Sequence, residues 1–136
     1  MEKEIRSVIC VNKGKKRNAL LELTENDDDT VVIKFSFENS VFEKEGDNFF
    51  ETLIKLREEL EKINIKLLCK GCCKNVYPSG MILSMGTGRN AYVLVRGEQA
   101  KMSSLVDIFD SCSIDEYATI GEQSEYFKEW TISLTR

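Results

Sequence analysis

The chain has 136 residues, 42% hydrophobic and 31% charged, with a formal net charge of −4 and no histidine. That length suits one domain around one core, and no segment approaches the roughly 18 apolar residues that a membrane span requires. The acidic balance argues against a nucleic-acid partner, whose phosphates it would repel.

The N-terminus is charged and runs straight into an alternating segment, so no export signal is expected. Ile5, Ser7, Ile9 and Val11 alternate with Arg6, Val8 and Cys10, the period of a strand with one better-buried face. The basic run Lys13 to Arg17 contains Gly14 and no aromatic residue, and reads as a charged turn between strands. A second short strand is expected around Leu21 and Leu23. After the polar turn Asn26-Asp27-Asp28-Asp29, the residues Val31, Ile33, Phe35 and Phe37 share one face, and a hairpin is the economical connection.

From Asn48 to about Lys62 the period becomes helical, with Phe49, Leu53, Leu56, Leu60 and Ile63 in one stripe widened by Phe50 and Ile54. Asn48 followed by Glu51 resembles a capping box, and Glu51/Lys55 and Glu58/Lys62 are favourable pairs one turn apart. Ile65, Leu67 and Cys69 predict a further strand. Residues 71–89 hold Pro78 and four glycines and read as turns, a length of loop that is more often functional than idle. Ala91, Val93 and Val95 predict another strand, Ser104 to Phe109 a short helical turn. Thr119 and Glu122 form a capping box ahead of Tyr126, Phe127, Trp130 and Leu134, which predicts a terminal helix with Trp130 anchored in the core. The expected fold is α+β: a mainly antiparallel sheet of about five strands packed against one long central helix and a C-terminal helix, all in a single domain over residues 1–136.

Charge is unevenly placed. Glu22 to Glu61 contains 13 acidic and 4 basic residues, a local net of −9 within a chain of −4 overall. A flank of this kind attracts a basic partner, as well as serving simply as a solvated surface.

Without histidine the chain lacks the usual general base and the commonest metal ligand, which weakens most hydrolase mechanisms. Five cysteines, Cys10, Cys69, Cys72, Cys73 and Cys112, are an odd number and suggest reduced thiols in the cytoplasm. Cys69 to Cys73 includes a C-x2-C spacing, but a closed zinc site would need Cys112 or Cys10 as its fourth ligand, so free, partly buried thiols are the better reading and no metal is assigned. Cys72 or Cys73 beside Lys70 and Lys74 has no partner base to make it a nucleophile. Gly86-Thr87-Gly88-Arg89 fits neither common phosphate-loop pattern and reads as a tight turn aiming Arg89 at a carboxylate, with Asp107 and Asp110 the available partners.

The run Val76-Tyr77-Pro78-Ser79-Gly80-Met81, then Met85-Gly86, Gly88, Ala91-Tyr92 and Leu105 to Asp110, resembles a family of small, largely uncharacterised bacterial proteins. The similarity covers roughly residues 49 to 131, and the Tyr-Pro-Ser-Gly-Met block is its most specific part. The resemblance implies an α+β domain without established catalytic residues, similar to the immunity proteins found beside polymorphic and contact-dependent inhibition toxins. Such proteins bind a cognate toxin in the cytosol and block it. The family pattern has a small and a basic residue where this chain has Cys72 and Cys73, which speaks further against a metal.

Two functional readings follow. In the first, the chain is a non-enzymatic binder of a basic, nuclease-like toxin, without cofactor, nucleic acid or membrane, and Glu22, Asp27, Asp28, Asp29, Glu43, Glu45 and Asp47 carry specificity. In the second, the loop from Tyr77 to Tyr92 lines a small-molecule pocket or an unrecognised active site. There Arg89 holds an anion and Tyr77 or Ser79 supplies hydroxyls, with Gly80, Met81, Met85 and Tyr92 as further candidates in the same loop.

Overall fold

Two tight turns and one acidic hairpin fold the first third of the chain into a meander. The computed structural model describes residues 2–135; the side chains of Ser84 and Met85 lie outside the described residues, so the candidate Met85 is not placed. Strands β1 (Glu2–Asn12), β2 (Lys15–Glu25), β3 (Val31–Phe37) and β4 (Ser40–Gly46) run antiparallel in sequence order. The β1–β2 turn is Lys13-Gly14, both with positive φ (54° and 75°), the left-handed pair that matches strand twist. At the β3–β4 turn Glu38 takes φ 53° without being a glycine.

Helix α1 (Phe49–Lys62) then crosses the sheet and returns the chain to β5 (Ile65–Leu67), which pairs with β1. The order is β4-β3-β2-β1-β5, the expected antiparallel sheet of five strands. Its membership differs from the sequence reading, since β4 joins it and the strand expected around Ala91 does not. Strand β4 is not expected from the sequence, because Phe42 is flanked by Glu43, Lys44 and Glu45 and shows no buried face of its own.

Alternation decides which side of the sheet is core. Val8, Cys10, Leu21, Leu23, Ile33 and Phe35 are buried against α1, whereas Ile5, Ile9, Leu20 and Val41 on the other side are exposed. On α1 the stripe Phe49, Leu53, Leu56 and Leu60, with Phe50, is fully buried, each such side chain stabilising by about 1.5–3 kcal/mol. Ile63, expected to extend the stripe, is the C-cap residue and is 49% exposed, because the helix stops before it turns inward. Lys55 does not serve the expected pair one turn away: its Nζ donates to the Glu45 carbonyl at 2.9 Å.

The irregular second half forms a smaller sheet, β6 (Val76–Tyr77), β7 (Asn90–Val93) and β8 (Leu105–Asp107), order β6-β7-β8. The expected strand around Ala91 lies here and not in the main sheet. The helical turn expected at Ser104 to Phe109 is instead a 3-10 turn at Met102–Ser104 followed by β8, since Leu105 and Val106 pair with Tyr92 and Ala91. A short helix, α2 (Gly80–Met85), interrupts what the sequence presents as turns, with Ser79 Oγ accepting from the Ile82 amide at 3.1 Å.

Helix α3 (Ile120–Ser133) begins at the predicted capping box: Thr119 Oγ1 accepts from the Glu122 amide at 3.1 Å and Glu122 Oε1 from the Thr119 amide at 2.9 Å. Its Trp130 is not in the core. The indole is half-buried at the end of a ring ladder, Phe50–Tyr77–Phe127–Trp130, and its Nε1 donates to the Glu98 carbonyl at 2.9 Å. An indole N–H needs an acceptor, and the surface supplies one. No helix is long and apolar enough to cross a membrane among the described residues.

Beside the apolar contacts of Phe49 and Phe50, a polar knot fastens the second half to α1. Arg57, 1% exposed, donates to Gln123 Oε1 at 2.7 Å, the Ala118 carbonyl at 2.9 Å and the Gly71 carbonyl at 3.3 Å. Gln123, 2% exposed, donates in turn to the carbonyls of Gly71, Cys73 and Val76 at 2.9–3.0 Å. The buried carbonyls of residues 71, 73, 76 and 118 are thereby satisfied by side chains of the two helices.

Candidate functional site

The acidic candidates divide into two neighbouring groups. Asp27, Asp28 and Asp29 form the tip of the β2–β3 hairpin, closed by Asn26 N–H to the Thr30 carbonyl at 2.9 Å. Asp28 Oδ1 accepts from the Thr30 hydroxyl at 2.6 Å and the Thr30 amide at 3.1 Å, and these bonds, the hydroxyl first, hold its carboxyl below the usual range. Asn26 Nδ2 reaches Glu45 at 3.4 Å, so the hairpin tip sits beside the end of β4. Glu22 and Glu43 lie on the uncovered face of the sheet, opposite Lys34 on either side of it, and Glu45 lies one row further on, opposite Val32. Lys3 approaches Glu22 at 3.6 Å.

The tertiary fold brings the acidic end against the glycine loop. Glu25, Asp29 and Asp47 line one wall of a cleft of about 430 Å3, and Leu83, Gly86 and Thr87 line the other. A second cleft of about 390 Å3 adjoins it through Glu25 and is lined by Glu2, Glu4, Phe49 and Arg89. Glu25 and Glu4 are not among the sequence candidates. Glu25 belongs to the same acidic run and is open to that argument, whereas Glu4 is distant in sequence and arrives by strand pairing.

The loop itself serves as a helix cap. Phe49 N–H donates to the Thr87 carbonyl at 2.6 Å, and Asn48 Oδ1 accepts from the Glu51 amide at 2.9 Å. Gly88 has φ 74°, and a Cβ there would stand 2.9 Å from Asn48 Cβ and Oδ1. The start of α1 is therefore filled by the chain's own carbonyl among carboxylates, the opposite of an anion cradle.

Arg89 is committed to partners within the chain. Its Nε donates to Asp107 Oδ1 at 2.9 Å, and its Nη2 to both oxygens of Glu4 at 3.1 Å, while the guanidinium lies 5.2 Å from the centre of the Phe109 ring. The anticipated partner Asp107 is engaged; Asp110 pairs instead with Arg6 at 3.0 Å, and Arg6 also reaches Asp107 at 3.2 Å. The network joins β1 to β8 and the turn after it.

Other loop candidates have structural positions. Tyr77 is stacked 4.1 Å from Phe127 and packs edge-on against Phe50 at 5.1 Å. Ser79 caps α2, Gly80 starts it, and Met81 is 69% exposed. Tyr92 Oη contacts Met102 Sδ at 3.6 Å.

Four of the five thiols cluster under α1. Cys69 Sγ lies 3.6 Å from Cys72 Sγ, and the thiols of Cys73 and Cys112 both point at the Cys69 carbonyl, at 3.9 and 3.4 Å. The hydrogen bond to Cys72, then burial, pushes the Cys69 thiol well up; the bond to Cys73, then burial, does the same to Cys112. All five cysteines are free, and no group of three or more acidic or thiol side chains is placed to hold a metal among the described residues. A scan against protein-family models finds no match to the chain, and no curated protein is significantly similar to it.

Proposed function

We propose that the chain is a non-enzymatic binding protein of the immunity type, whose acidic end docks on a basic, nuclease-like toxin in the cytoplasm and blocks it. The observation that carries this reading is the convergence of Glu25, Asp29 and Asp47 on one cleft, beside a hairpin tip of three consecutive aspartates. Carboxylates gathered at an exposed end raise the local concentration of a cationic partner and speed its encounter. The second reading, an anion held in the Tyr77 to Tyr92 loop, is weakened because the Arg89 guanidinium is already bound to Glu4 and Asp107 and Tyr77 is packed between two rings.

The test is association kinetics with the basic product of the neighbouring gene. The expected affinity is on the order of nanomolar, and replacing Asp27, Asp28 and Asp29 together by lysine slows association by roughly tenfold or more at low salt. An on-rate indifferent to both the replacement and the salt concentration refutes the electrostatic docking.

A further inference from the structure

Strand β4 is a regular edge left open. It pairs with β3 without a bulge from Phe37↔Ser40 to Val31↔Gly46, contains no proline, and has no strand on its other side among the described residues. The two-residue turn at its start directs the backbone groups of Ser40, Phe42, Lys44 and Gly46 toward β3. Those of Val41, Glu43 and Glu45 therefore face outward. The Glu45 carbonyl confirms the direction, since it accepts from Lys55 Nζ, a side chain outside the sheet, at 2.9 Å. Natural sheets usually cover, twist, charge or break such an edge, because its unpaired N–H and C=O groups, here those of Val41 and Glu43 with the Glu45 amide, are a template for another strand.

We propose that β4 is a docking edge, and that it takes an extended, lysine- or arginine-bearing segment of a partner protein as a sixth, antiparallel strand. This deepens the reading of the chain as a binder of a basic protein and rests on it. The residues whose backbone groups face outward also send their side chains to the face that no helix covers: Val41, 60% exposed, then Glu43 and Glu45. Directly opposed side chains in an antiparallel pair stand roughly 4.5–5.5 Å apart at Cβ. A partner strand with basic residues opposite Glu43 and Glu45 and an apolar one opposite Val41 complements that row.

The side chains between them point the other way, into a groove of about 560 Å3 between β4 and the last turn of α1. Phe42 and the half-exposed Ile63 give that groove an apolar floor; its charged pair Lys44–Glu59, 3.0 Å apart, is already neutralised, and Lys62, which also lines it, balances the charge of the Glu43 carboxylate. The complementary strand thus reads basic, neutral, basic, apolar, apolar from the position opposite Glu45 to that opposite Val41. A second copy of this chain fits poorly, because pairing the whole of β4 with itself sets Glu43 against Glu43.

The probe is a cyclised hairpin peptide whose outer strand reads Lys-Thr-Lys-Ile-Val, titrated into the intact protein while backbone amide exchange is followed residue by residue. Binding is expected to slow exchange at Val41, Glu43 and Glu45 by tenfold or more and to leave Lys3, Ile5 and Ser7 on β1 unchanged. Val41→Pro removes one outward N–H while keeping every carboxylate, and is expected to weaken the peptide about tenfold; the exchange measurement on the unmodified protein stands if that variant fails to fold. Absence of protection on β4 up to a peptide concentration of about 1 mM, or unchanged affinity in a folded Val41→Pro, overturns strand addition. Should the natural partner still require Asp27 to Asp29 while ignoring Val41→Pro, the acidic docking survives and the strand addition fails. Indifference to the aspartates together with loss of binding in Val41→Pro supports strand addition and refutes docking through the acidic tip.

Discussion

Replacing Gln123 by leucine isolates the knot that holds the second half of the chain to α1. The substitution is close in volume, so packing is nearly conserved, but four hydrogen bonds centred on one amide disappear. Val76 loses the donor to its buried carbonyl, at about 1 kcal/mol, the low end for an unsatisfied buried group, whereas the Cys73 carbonyl keeps the Val76 amide at 3.4 Å. Arg57 loses its shortest bond, a charge-assisted one worth about 1.5–3 kcal/mol, and its Nε already lacks a partner. The expected destabilisation is about 3 kcal/mol, a large share of the ~5–15 kcal/mol of an ordinary domain. With a urea m-value of ~2 kcal/mol/M, that moves the midpoint of urea unfolding by about 1.5 M. Gln123→Glu is a sharper control: it keeps an acceptor, and adds a counter-charge, for Arg57, but an ionised carboxylate cannot donate to three carbonyls. A midpoint for Gln123→Leu within ~0.5 M of wild type would show that the knot is not what secures α3 and refute the reasoning.

Other outcomes follow from single positions. Gly88→Ala places a Cβ against Asn48 at positive φ and is expected to cost about 2–3 kcal/mol in thermal unfolding, whereas Gly80→Ala, with nothing within 4 Å, changes little. Glu38→Gly relieves a left-handed non-glycine residue and is expected to stabilise by about 0.5–1 kcal/mol, read as a rise in Tm. Glu116 and Glu122 have carboxyls held below their ordinary value of 4.5, each chiefly by a backbone amide, of Ser113 and Thr119 respectively. Since the folded value lies below the unfolded one, this stabilisation is present above about pH 4.5 and is lost as pH falls through the lowered values; the double substitution to glutamine flattens that acid limb in unfolding measured against pH. Alkylation at pH 8 is expected to be slow at all five thiols in the native protein and rapid at all five in urea. Cys112 is the informative one, being partly exposed yet held protonated by the neighbouring Cys73 thiol and by burial, and a free-thiol rate there refutes that protection.

The sequence determined the parts of this protein that depend on near neighbours. Alternation at Val31 to Phe37, the four-and-three spacing from Phe49 to Leu60, and the box at Thr119 are local patterns, and each formed where it was read; at Asn48 only half of the expected box formed, its Oδ1 accepting from the Glu51 amide. Tertiary structure decided what depends on residues far apart. Arg57 looks from the sequence like an ordinary charge on a helix, and only the carbonyls brought by residues 71 and 118 make it an interior group. Trp130 carries the signature of a core residue but ends at the surface, because α3 packs against α1 and the Val76–Tyr77 strand and its last turns run on past them to Glu98. The acidic run announced its charge, but its meeting with the Gly86–Thr87 loop in one cleft required the hairpin, the crossing helix and the return strand to be in place. Short-range periodicity fixes which face of an element is apolar; which surface that face meets, and which charges are left outside together, is settled by packing between elements.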